Sequence, residues 1–191
     1  MQVVGDRSVT QQAVEALERL VRDVPDFPEP GIVFKDITPL LADPAGFRVV
    51  VDALAAVGRG DDGTPVVDKV VGMEARGFMF AAPVALALGV GFVPVRKAGK
   101  LPHATHEVAY ELEYGEAVLQ LHQDALAPGD RVLIVDDVLA TGGTAQATCE
   151  LVARCGARPV AFAVLMELGF LAGRDALGDV PVTALVTAPG D

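Results

Sequence analysis

The chain has 191 residues, about half of them hydrophobic, and a formal net charge of −11. That length suits one α/β domain with at most a small appendage, and the apolar half supplies too much core for a disordered chain. The acidic balance, without a run of more than two basic residues, argues against a nucleic-acid surface; an anionic ligand would have to be gripped locally, by backbone amides, a few Lys or Arg, and a metal.

Residues 8–24 carry helical spacing, with Ala13, Leu17, Leu20, Val21 and Val24 recurring behind a capping-box pair, Ser8 and Gln11. Pro25 ends that pattern. Residues 25–44 read as an irregular, proline-punctuated segment, a candidate cover over a site because such chain is costly to order unless it packs on something. From Phe47 the signals alternate: helix 47–58, a Gly60-Asp61-Asp62-Gly63 loop, strand 67–73, helix 78–88 and strand 91–97. A polar stretch, 98–114, precedes strand 117–122 and a Pro128-Gly129-Asp130 turn. Strand 131–137 is continuously apolar up to its acids, which suits a parallel strand buried on both faces. Helix 143–155 stops at Gly156, strand 159–167 follows, and 180–187 is β-rich. Alternating strands and helices imply an α/β fold: a mainly parallel, twisted sheet flanked by helices.

Cys149 and Cys155 are six apart, which is neither a CxxC nor a metal spacing; buried thiols and a reducing cytoplasmic setting are expected. Asp6 and Arg7 without an apolar run predict no secretory leader. The apolar stretch Phe78 to Val95 is broken by Pro83, Gly89, Gly91 and Pro94, so no membrane span is expected.

The sharpest local signal is Val132-Leu133-Ile134-Val135-Asp136-Asp137-Val138-Leu139-Ala140-Thr141-Gly142-Gly143-Thr144. It reads as a buried strand, two acids, then a small-residue loop opening a helix. Small residues let backbone N–H groups approach an anion, and the helix start adds free amides and a positive dipole end. Two neighbouring carboxylates repel unless hydroxyl donors or a cation compensate them. No Walker A pattern occurs.

This segment resembles the phosphoribosyl pyrophosphate (PRPP) motif of type I phosphoribosyltransferases. The resemblance implies that fold, with a hood over residues 1–45 and a core over 46–191. It also implies that Ala140, Thr141, Gly142, Gly143 and Thr144 hold a 5′-phosphate, while Asp136 and Asp137 bind ribose hydroxyls.

Three further stretches resemble the adenine phosphoribosyltransferase family. Phe27 to Leu41 is similar to its base hood; Phe34 would pack on the purine, with the backbone of Val33 and Lys35 reading the adenine edge. Family members often carry Arg at the Lys35 position, which matters only if that side chain is used. Val71-Gly72-Met73-Glu74-Ala75-Arg76-Gly77-Phe78 is similar to the pyrophosphate loop, with Arg76 on the anion and a strained or cis peptide placed at Glu74–Ala75. Arg96-Lys97-Ala98-Gly99-Lys100 puts three cations within five residues at a strand end. By resemblance Arg96, Lys97 and Lys100 hold pyrophosphate, Arg96 reaches toward a neighbouring subunit, and a homodimer is implied. The stretch that follows is similar to a mobile loop ending in Glu113 and Tyr114, with Glu113 as the acid/base for the adenine ring proton. Leu168 would wall the base, and Mg²⁺ would be held by substrate oxygens. His103 and His106 read as solvated. The resemblance thus implies an enzyme of purine salvage that converts adenine and PRPP to AMP and pyrophosphate. Two alternatives stay open: a non-catalytic PRPP-sensing regulator on the same fold, or transfer to another base such as xanthine or hypoxanthine.

Overall fold

The computed structural model describes residues 8–111 and 116–188, and of Glu111 and Glu116 only the backbone. The chain divides into two compact units, the first ending at Ala53 and the second running from Leu54. The sequence expectation drew its line at residue 45; the division falls inside a helix that neither proline nor glycine interrupts after Gly46.

In the first unit, helix α1 spans Val9–Leu20. Ser8 caps it, its hydroxyl accepting from the Gln11 amide at 3.2 Å, a contact of about 1 kcal/mol. The helix stops four residues short of the expected Val24. Arg22–Pro25 is instead strand β1, paired antiparallel with strand β2, Val33–Asp36. β-Branched Val21 and Val24 and the restriction on the residue before Pro25 favour extended chain once a partner strand is present. The proline-punctuated segment is therefore more regular than its composition suggests. It holds β2 and the short helix α2, Thr38–Ala42, whose first amide, that of Thr38, donates to Asp36 Oδ1 at 2.9 Å. Helix α3, Pro44–Ala56, starts three residues earlier than expected because Asp43 accepts from the Gly46 amide and Pro44 is preset for a first helical position.

The second unit is built on a seven-stranded sheet. Its strands are β3 (Lys69–Met73), β4 (Gly91–Lys97), β5 (Thr105–Glu111), β6 (Glu116–His122), β7 (Arg131–Leu139), β8 (Arg158–Leu168) and β9 (Val182–Ala188). Their order is β5-β6-β4-β3-β7-β8-β9. The pairs from β4 across to β9 are parallel, and β5 and β6 add antiparallel at one edge. Val70, Val71 and Val132 to Val135 are fully buried, as their unbroken apolar runs require. Helix α4, Gly77–Leu88, follows β3 closely: a Cβ on Gly72 would stand 2.5 Å from that of Ala81. Helix α5, Gly143–Arg154, follows β7.

The polar stretch 98–114 is not all loop, since residues 105–111 form β5. Val108 and Tyr110 alternate with polar neighbours and pack on the core, and Arg154 Nη1 of α5 donates to the Glu107 carbonyl at 2.6 Å. His106 accordingly sits on a strand. Among the described residues no helix is long and apolar enough to cross a membrane.

Candidate active site

The strand order explains why distant segments meet. β3 is flanked by β4 on one side and β7 on the other, so the connections leave in opposite directions between β3 and β7. Such a reversal opens a crevice at the carboxyl ends of parallel strands. At that edge β4 delivers Arg96 and Lys97, β3 delivers Glu74 to Arg76, β7 delivers Asp136 to Thr144, and β8 delivers Leu168. β7 pairs with β3 only as far as Val135 but with β8 as far as Leu139. The two acids therefore lie within β7, beyond its last bond to β3. The first residue of α4 fills the space beside them: a Cβ on Gly77 would come 2.7 Å from Asp136 Oδ1 and 3.1 Å from the Val135 carbonyl. Only glycine fits there.

Beyond the acids the chain lines a small, solvent-open pocket of about 90 Å³, with Asp136, Ala140 to Thr144 and the fully buried Phe162 in its walls. Gly142 takes φ 88°, a left-handed turn that aims the following amides along α5. Among the described residues no side chain caps this helix, so its first N–H groups remain available to an anion. The Thr148 hydroxyl donates to the Thr144 carbonyl at 2.8 Å, which anchors the first turn. Main chain supports the loop from behind. A Cβ on Gly173 would collide with the Ala140 carbonyl oxygen, and one on Gly142 with the Gly173 carbonyl and Ala176.

Asp137 is 4% exposed, and its amide donates to Asp136 Oδ1 at 2.9 Å. Arg76 Nε lies 2.8 Å from Asp137 Oδ2, yet that oxygen accepts no well-aligned hydrogen bond; the pair is ionic by distance rather than by directed bonding. Burial, then the neighbouring Asp137 charge, push the Asp136 carboxyl well above the usual carboxylate range.

The three clustered cations are sorted by one acid. Glu74 Oε2 accepts from the Lys97 amide at 3.0 Å and from Arg96 Nε at 3.3 Å, and Glu74 Oε1 accepts from Lys100 Nζ. Arg96 Nη1 also donates to the Lys100 carbonyl at 3.2 Å. The Lys97 ammonium makes no ion pair among the described residues. Burial would raise the Glu74 carboxyl, but the bonds from Lys100 and the Lys97 amide, with the nearby positive charge, outweigh it and leave it below its ordinary value. The Glu74–Ala75 peptide is cis, at the position the sequence resemblance indicated.

In the first unit, Val33, Phe34 and Lys35 lie on β2. β2 is one half of the two-stranded sheet that it forms with β1. The Phe34 ring meets Phe27 edge-on at 5.1 Å, and Lys35 Nζ pairs with Asp23 at 2.6 Å, so that side chain is engaged within its own hairpin. Glu113 and Tyr114 lie outside the described residues.

The phosphoribosyl transferase domain family matches residues 36–179. The chain is 72% identical, over 88% of its length and 91% of the relative's, to an adenine phosphoribosyltransferase of a Nocardioides species. The chain belongs to the adenine phosphoribosyltransferase family. Its members are pentosyltransferases, and the chain is an enzyme of that class. Solved adenine phosphoribosyltransferases share the fold. The Saccharomyces cerevisiae enzyme, complexed with an imino-altritol bisphosphate and adenine, superposes with TM-score 0.87 at 41% identity, covering 92% of this chain and 99% of that one. The Trypanosoma brucei enzyme, in complex with AMP, pyrophosphate and ribose-5-phosphate, superposes with TM-score 0.81 at 26% identity, covering 97% and 82%.

Sequence reasoning within this family frame missed two acids, Glu74 and Glu167, and the partner of the second, Arg174. Glu74 was read as part of the loop and of its cis peptide, with no role for its side chain. Glu167, at the end of β8 and 5% exposed, takes Arg174 Nε on both oxygens at 2.7 Å, while Arg174 Nη1 donates to the Val182 carbonyl at 2.8 Å. That clamp fixes the turn bearing Gly173 behind the phosphate loop. A buried Glu seven residues before an Arg gives no periodic signal, so only the fold exposes the pair.

Proposed function

We propose that this chain transfers the phosphoribosyl group of PRPP to adenine, giving AMP and pyrophosphate. The observation that carries the reading is the pocket of uncapped amides at the start of α5, placed directly beyond twin carboxylates and on the same sheet edge as the cationic end of β4. The amides of Ala140, Thr141, Gly142, Gly143 and Thr144 bind the 5′-phosphate, a neutral grip suited to an acidic protein. Asp136 and Asp137 accept the ribose hydroxyls and favour the positive charge that develops at the anomeric carbon. Arg76, Arg96, Lys97 and Lys100 hold the departing pyrophosphate. Val33 and Lys35 read adenine through the β2 backbone, Phe34 and Leu168 supply apolar surface, and the engagement of Lys35 by Asp23 supports a backbone role there. Glu113 takes the adenine ring proton, and Tyr114 travels on the same closing loop.

Among the described residues no group of three or more His, Cys, Asp or Glu gathers to hold a metal ion. The donor set fits Mg²⁺ carried by substrate oxygens and water with the twin acids nearby; when bound, it neutralises charge on the leaving diphosphate. A homodimer is supported by α4, which carries no charged residue yet exposes Leu86 at 83% and Met79 at 43%. Two free cysteines fit a cytoplasmic setting.

The test is product formation from PRPP with adenine, hypoxanthine, xanthine and orotate. AMP formation with adenine, at a kcat/KM far above the others, is expected. Preference for another base would overturn the adenine assignment, and no pyrophosphate release with any base would favour a non-catalytic PRPP sensor.

A further inference from the structure

Glu74 is a buried carboxylate that none of the steps above uses. Its side chain is 8% exposed, and both oxygens are engaged. Oε2 is tied to main chain by the Lys97 amide, so the acid does not follow a flexible side chain. From that fixed point it holds Arg96 through Oε2 and Lys100 through Oε1, and the Arg96 bond to the Lys100 carbonyl closes the ring. The intervening turn is pinned on its other side: the Gly99 amide, at φ 79°, donates to Gln120 Oε1 at 2.9 Å.

A lysine on a four-carbon stem at a strand end would otherwise sample solvent, and fixing it at the moment of binding costs entropy. Three cations against one carboxylate still leave a positive surplus for a diphosphate. We propose that Glu74 is a positioning residue for the pyrophosphate subsite, presetting Lys100 and Arg96 without itself touching the reacting atoms. The inference rests on the phosphoribosyl-transfer reading of the site and adds the residue that organises one half of it.

The test compares wild type with Glu74→Gln. Glutamine keeps the volume, and its carbonyl still accepts from the Lys97 amide, but it loses the charge that holds the two cations. Calorimetric titration with pyrophosphate and MgCl₂ should show a dissociation constant raised about tenfold, and KM for PRPP should rise in step. AMP affinity should stay within about twofold, and kcat should fall less than KM rises. Unchanged pyrophosphate affinity overturns the proposal; tighter affinity overturns it in favour of an acid that competes with the ligand. Equal loss of AMP affinity overturns it in favour of a general structural role. Should Glu74→Gln fail to fold, Glu74→Asp, which withdraws the charge by one methylene, must show the same split between pyrophosphate and AMP. A wild-type protein that binds no pyrophosphate sinks the site reading as well, which separates that failure from the failure of Glu74 alone.

Discussion

The loops that leave β3 and β7 stand side by side at the sheet edge but are built in opposite ways. After β7 the loop is built from main chain: a left-handed glycine, a run of small residues and the first amides of α5, backed by Gly173. After β3 and β4 it is built from charged side chains, with Arg76 on Asp137 and with Arg96 and Lys100 on Glu74. A protein at net charge −11 has no broad positive field to draw anions in. Amides need no counter-ion and lose little freedom on binding. Long cationic side chains need a partner to keep them in place, and here acidic residues supply it.

That contrast can be broken or sharpened by experiment. The largest effect is expected from neither loop. Glu113→Ala should lower kcat about 100-fold or more while moving KM for PRPP far less, because the proposed reading gives both loops binding roles and gives Glu113 the proton. Comparable turnover in steady-state assays would remove Glu113 from the chemistry. Next, Gly173→Ala should push the Ala140 carbonyl out of place and weaken ribose-5-phosphate binding about 30-fold, with pyrophosphate affinity nearly unchanged. Equal loss for both ligands would mean that the two holders are not independent. A smaller effect is expected at the exposed Lys97. Lys97→Ala should cost about three- to tenfold in pyrophosphate affinity, fading as salt rises and screening shortens to about 8 Å at physiological ionic strength. Loss of the same size at high salt would show a directed contact instead of a field.

The smallest change belongs to the opposite end of the strands, where Asp68 pairs with Arg131 at 2.9 Å. The Arg131 bonds hold the Asp68 carboxyl at about 2, below its ordinary 3.8. A depressed carboxylate stabilises the fold above its unfolded value and stops doing so as pH falls through the folded one. Asp68→Asn should therefore lower Tm by a few degrees at neutral pH, small because both side chains are over a third exposed, with the gap closing between about pH 4 and 2. A constant gap across calorimetric scans in that range would exclude a charge effect.

Where a feature depends on neighbours in sequence, it was legible. The apolar run of β7, the Thr-Gly-Gly-Thr turn into α5 and the Ser8 cap all follow from residues within a few positions of one another. β5 was hidden in a polar stretch because its alternation acquires meaning only against β6 and α5. α1 was drawn too long because Val21 ends the helix in an extended conformation and Val24 serves β1 once β2 is present.

By itself the sequence determined the buried parallel strands and the longer helices of the second unit and which short motif suits a phosphate, since backbone preference and side-chain period are local properties. Only the tertiary structure decided that Glu74 would hold Lys100 from 26 residues away, and that Arg76 would sit on Asp137. The reason is the strand order. Pairing β3 with both β4 and β7 brings three carboxyl ends together, and no local preference specifies which strands become neighbours.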